Sequence, residues 1–168
     1  NPVEPGDTSF FAVSLDKEFA GSAGLSDETE SGANGFVTLL SGNRFDAYRP
    51  IIIDSMAVYV DVPNVILTIQ LWNTNNQPLV TRKIVVPTTG KTYIPVDIYV
   101  PTGTNYKLML TDIEEGRILR NVNNGPVTIT YPQPLKDIMA ITGYTNNGLD
   151  NVTFYTSYFF DWKISVAG

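Results

Sequence analysis

At 168 residues the chain suits one domain that buries roughly two-thirds of the surface its unfolded form exposes. It holds no cysteine and no histidine, which excludes disulfide frameworks, thiol nucleophiles, Ser-His-Asp triads, histidine bases and Cys- or His-ligated zinc. Eleven basic against seventeen acidic residues leave a net charge of −6, the wrong sign for a nucleic-acid footprint, and no run nears the ~20 apolar residues of a membrane-spanning helix. Neither nucleic acid nor membrane insertion is therefore expected.

The chain begins at Asn1, which suggests a processed or excised form. After the polar "NPVEPGD" comes "SFFAVSL", a strand candidate whose apolar residues are Phe10, Phe11, Val13 and Leu15. The acidic, Gly/Ser-rich stretch that follows reads as a solvated linker. The division expected is an N-terminal segment over 1–20, a linker over 21–35 and a β-sandwich over 36–168. On such a tether the first strand can reach beyond its own domain and hold Asn1 in place on a partner.

Beyond residue 35, apolar alternation with period 2 dominates and no long segment shows a 3.6 period. "GFVTLL" and "IIIDSMAVYV" come first. In "VILTIQLWN", Val65, Leu67, Ile69 and Leu71 share one face, while Thr68, Gln70 and Trp72 share the other. "LVTRKIVV" precedes "YIPVDIYV", where Ile94, Val96, Ile98 and Val100 point inward and Tyr93, Asp97 and Tyr99 outward. "YKLMLT" leads to "TDIEEGR", read as a hairpin turn carrying Asp112, Glu114 and Glu115. "VTITY", "MAITGY", "VTFYTSY" and "FFDWKISV" complete the series, with turn-forming runs such as "NTNNQP", "PTGTN" and "NVNNGP" between strands. Ten or so short strands at this spacing predict an all-β antiparallel sandwich, jelly-roll-like, with a tethered N-terminal strand.

In the last strand Phe160, Trp162, Ile164 and Val166 are assigned to the core and Asp161 to the wet face. A second reading makes Asp161 a ligand of a structural calcium with Asp16 and Glu18; such an ion needs further oxygens from carbonyls and water. Trp72, flanked by polar residues, and the pair Tyr93 and Tyr99 are candidates for an aromatic platform that stacks on a glycan or anchors a protein. Asp112, Glu114 and Glu115 are the one carboxylate cluster to weigh for glycoside hydrolysis, and their turn context favours simple solvation. Asn151-Val152-Thr153 is a glycosylation sequon.

"ILRNVNNGPVTITYP", "IMAITGY" and "FYTSYFFDWKISV", in that order, resemble a β-sandwich module recurrent in secreted proteins of the Bacteroidetes. Its pattern is a Leu-Tyr-Arg-Asn run, a Tyr-Pro, an Ile-Thr-Gly segment and a closing aromatic strand ending Tyr-Asp-Trp. Ile118 and Phe160 stand here where a Tyr is usual, and Gln133 follows Tyr131-Pro132. The closing strand is also similar to that of jelly-roll carbohydrate-binding modules, in which the Asp helps to hold calcium. The resemblance covers roughly residues 44–166 and implies a non-catalytic extracellular part. Within its motif Arg120 is expected to clamp the closing strands and Asn121 to shape a turn.

The leading expectation is an extracellular or cell-surface structural protein, not an enzyme, whose copies associate into a fibre or filament by exchanging the N-terminal strand. The alternatives are a glycan-binding module of a larger secreted enzyme and a phage or capsid decoration protein.

Overall fold

The computed structural model of the chain describes residues 16–30, 33–122, 130–146, 149–151 and 156–168. Its strands are numbered here in chain order. β1 (Lys17–Ala23), β14 (Phe160–Ala167), β4 (Ile51–Val58) and β7 (Thr92–Val100) form one antiparallel sheet in that order. β10 (Gln133–Leu135), β11 (Met139–Asn146), β3 (Gly42–Ala47), β8 (Gly103–Glu114), β5 (Val65–Trp72) and β6 (Pro78–Val86) form the second, with β12 (Leu149–Asn151) also paired to β11. A small third sheet holds β13 (Thr156–Ser157), β9 (Ile118–Val122) and β2 (Ala33–Val37).

Lettered B to I in chain order, β1, β3, β4, β5, β6, β7, β8 and β14 give sheets B-I-D-G and C-H-E-F, the jelly-roll arrangement. The chain is thus an all-β antiparallel sandwich, as alternation predicts. Among the described residues no helix is long and apolar enough to cross a membrane.

Alternation sets the core directly. Val65, Leu67, Ile69 and Leu71 of one sheet and Ile94, Val96, Ile98 and Val100 of the other are all buried in a single cluster. Phe45, Phe159 and Trp162 extend it, with the indole edge-on to Phe45 at 5.7 Å and to Phe159 at 6.4 Å. The lateral edges of the sandwich are tied by two basic side chains. Arg82 of β6 donates to the carbonyls of Val96 and Asp97 on β7, at 3.1 and 3.0 Å. Lys136, at the β10–β11 turn, donates to Ala20 on β1 at 3.0 Å.

Three elements differ from the sequence reading. The described part of 21–35 carries regular structure: Gly21–Ala23 completes β1 beside β14, a 3-10 turn spans Glu28–Glu30, and β2 starts at Ala33. The carboxylates at 112 and 114 continue β8, and the turn begins only at Glu115, whose φ is 68°. The last strand reverses its parity at one point. Asp161 adopts a left-handed φ of 47°, a conformation Asp tolerates better than most residues, and Asp161 and Trp162 together oppose Met56 in a bulge. As a result Phe159 enters the main core, while Phe160, assigned to that core from the sequence, turns to the outer face and packs with Leu25, Ala57, Tyr59 and Leu119 in a second one.

Trp162→Ala should cost about 3–5 kcal/mol, the usual loss for a fully buried large aromatic. Urea unfolding of the two proteins, with an unchanged denaturant slope, measures it.

Candidate functional site

Asp161 is 7% exposed, so the carboxylate assigned to solvent is buried. The bulge is the reason, since it breaks the pleat at Asp161 and lets the carboxylate meet Tyr93 of β7 across the intervening β4. The backbone N–H of Asp161 donates to the Leu25 carbonyl at 2.6 Å, and its carboxylate accepts from the Tyr93 hydroxyl. Lys163 Nζ lies 3.1 Å and Lys91 Nζ 3.9 Å from the same oxygen, and Lys163 also donates to Ser22 at 3.0 Å. Burial alone pushes the carboxyl pKa up, but hydrogen bonds from Tyr93, Ser22 and Lys163 outweigh it and hold the group below the usual carboxylate range.

The proposed calcium ligands are not brought together. β1 runs antiparallel to β14, with Glu18 opposite Val166 and Ala23 opposite Trp162. Asp16 and Glu18 therefore stand at the far end of β14 from Asp161, roughly 15–20 Å away at ~3.3 Å per residue. Calcium needs its oxygens around one point. Among the described residues no group of three or more Asp, Glu, His or Cys side chains could hold a metal ion.

The aromatic platform is divided between the two sheets. Trp72 lies half-buried on the outer face of the larger sheet, in register with Lys107, and its indole N–H donates to Gln70 at 2.8 Å. Tyr93 and Tyr99 are 46% and 45% exposed on the outer face of the other sheet. The thickness of the sandwich, ~10 Å between sheets, separates them from Trp72. Tyr93 is moreover committed to Asp161.

Asp112 and Glu114 are exposed on the outer face of β8, and Glu114 pairs with Lys83 at 3.3 Å. Asn121 is fully buried and donates to Asn34 at 2.9 Å, which ties β9 to β2. Arg120 is half-buried on β9 beside Gly35, and the expected clamp onto the closing strands is not formed among the described residues. Of the sequon only the backbone of Asn151 is described, opposite Tyr144.

Phe10, Phe11, Val13 and Leu15 lie outside the described residues. The point where they join the fold is described. Asp16 leads into β1, which pairs with β14 on one side and with no described strand on the other. From Ala20 onward that outer side is covered by the Lys136 contact and β10, and Asp16–Phe19 has no such cover among the described residues. Beside it runs a groove of about 480 Å³ that mixes apolar lining from Phe19, Ile138 and Val166 with charges of both signs, Lys17, Arg49 and Lys136 against Asp16 and Glu18. Phe19 is 62% exposed there. Sequence reasoning missed this groove because four distant segments build it and none carries a local pattern. No protein-family model matches the chain, and no curated protein matches it.

The low pKa of Asp161 fixes the sign of a pH effect. Stability supplied by the ionised carboxylate is fully present above the unfolded value of about 3.9 and is lost as pH falls through the lower folded value. Asp161→Asn, which keeps the shape and tolerates the same φ, should be about 1–3 kcal/mol less stable near pH 7. The gap to the parent should close towards pH 2, as read by urea unfolding across that range.

Proposed function

We propose that this protein is an extracellular or cell-surface structural protein that acts by self-association, the N-terminal segment of one copy adding to the open edge of β1 in the next. The observation that carries this reading is the open edge itself. Among the described residues Asp16–Phe19 is paired on its β14 side alone and adjoins a groove of mixed charged and apolar lining, and backbone pairing along an edge with side chains seated in an adjoining groove is how strand addition gains affinity and specificity. Phe10, Phe11, Val13 and Leu15 supply apolar side chains of the kind the groove would take.

Repeated head to tail the contact is heterologous and propagates a filament. The carboxylates of Asp161, engaged by Tyr93 and Lys163, and of Asp61, which accepts from the Arg117 backbone N–H at 2.7 Å and its guanidinium at 2.9 Å, support a non-catalytic role, because groups of the same fold already occupy them. A glycan platform of Trp72, Tyr93 and Tyr99 has less support, since these side chains occupy opposite outer faces.

Light scattering and negative-stain microscopy of the full chain should show concentration-dependent oligomers or filaments, and a version lacking residues 1–15 should be monomeric. A peptide of residues 8–15 should bind the shortened version, and Phe19→Asp should abolish that binding. A monomeric full chain whose melting temperature falls when residues 1–15 are removed would mean that the segment packs on its own domain, and would overturn the reading.

A further inference from the structure

We propose that the cleft between β9, β11 and residues 38–40 binds an acidic sugar, with Arg120 as the contact to its carboxylate. The cleft measures about 380 Å³, within the size range of small-molecule sites, and is lined by Thr38, Leu39, Leu40, Arg120, Tyr144 and Asn146. Its walls are fixed. The buried Tyr158 donates its hydroxyl to the Leu39 carbonyl at 2.6 Å, Ser41 accepts from the Leu110 N–H at 2.9 Å, and Tyr144 is held in register between Asn43 and Asn151.

Arg120 stands apart from the other partly buried arginines. Arg44 donates to Thr142 and reaches Asp150, and Arg82 donates to three backbone carbonyls. Arg120 is likewise half-buried yet has no hydrogen bond or ion pair among the described residues. Its strand neighbour on β2 is Gly35, where an added Cβ would meet nothing within 4 Å, so the space beside it is open. A guanidinium partly removed from water without an acceptor is disfavoured, and its planar fork matches a carboxylate in two parallel hydrogen bonds.

The remaining lining selects the body that carries the carboxylate. Leu39, 56% exposed, and Leu40 present an apolar wall suited to the C–H face of a pyranose ring. Thr38, Tyr144 and Asn146 supply hydroxyl and amide groups for its ring hydroxyls. A chain charge of −6 repels a long polyanion, so the ligand is a single uronic acid unit or a terminal one. The site is independent of the N-terminal contact: Ile138 lines the groove before β11 begins, whereas Tyr144 and Asn146 line the cleft at its far end.

NMR titration of the full chain with glucuronate, glucose and acetate tests this. Glucuronate should give saturable shifts at Leu39, Leu40 and Tyr144, with glucose and acetate each at least tenfold weaker. Arg120→Gln should lose at least tenfold in glucuronate affinity while Arg120→Lys retains part of it. Should Arg120→Gln fail to fold, Leu39→Glu, an exposed change that sets a negative charge at the mouth, should abolish binding alone. Absence of saturable shifts, undiminished binding by Arg120→Gln or Leu39→Glu, or acetate binding as tightly as glucuronate would overturn the proposal. Oligomer formation, read in parallel by light scattering, reports on the N-terminal contact separately.

Discussion

The fold depends on one residue held in a left-handed conformation in its final strand. With a φ of 47°, Asp161 lets β14 feed Phe159 and Trp162 into the main core and Phe160 into the second. A strand with strict period 2 cannot do this, because it would place Phe160 beside Trp162 and leave the outer face of β4 bare around Ala57 and Tyr59. The cost is a carboxylate taken out of water. Tyr93, Lys163 and Ser22 offset that cost, and so bind β7, β14 and β1 to one another across the end of the sheet.

Leu25 belongs to the same arrangement. Its side chain enters the second core and its carbonyl accepts the N–H of Asp161. The Gly/Ser-rich composition around it nevertheless reads as a linker, because glycine and serine mark flexible connections as well as tight paths over a packed surface. Gly24 illustrates the second use. Its φ is 77°, and a Cβ there would come within 3.3 Å of Ile141 and 3.6 Å of Trp162. Local composition cannot distinguish these cases; the apolar side chain of Leu25 was the available signal.

Legibility followed the same division elsewhere. The burial of β5 and β7 was readable residue by residue, since each strand keeps one face in the core along its whole length and period 2 records that directly. What was not readable was the assignment of strands to sheets. Trp72 and Tyr99 look equivalent in sequence, each outward on an alternating strand, and only the jelly-roll order places them on opposite surfaces. Asp16, Glu18 and Asp161 failed as a set for a related reason, because the direction in which β1 runs along β14 is a tertiary fact. The groove and the cleft lay deeper still, as each is assembled from segments that carry no shared local pattern.

A sandwich has four lateral sheet edges, and each is exposed to unwanted pairing unless something blocks it. On one side Arg82 crosses from β6 to β7 and engages two β7 carbonyls directly, so a strand approaching there meets a guanidinium already in place. On the other side Lys136 does the same at Ala20 but reaches no further. The four residues from Asp16 to Phe19 have no such tie among the described residues, and they adjoin the groove immediately after an apolar segment of the same chain. An edge guarded from Ala20 onward and unguarded beside the groove favours pairing with one short strand over indiscriminate aggregation. That asymmetry is what favours the assembly reading over a merely unprotected edge.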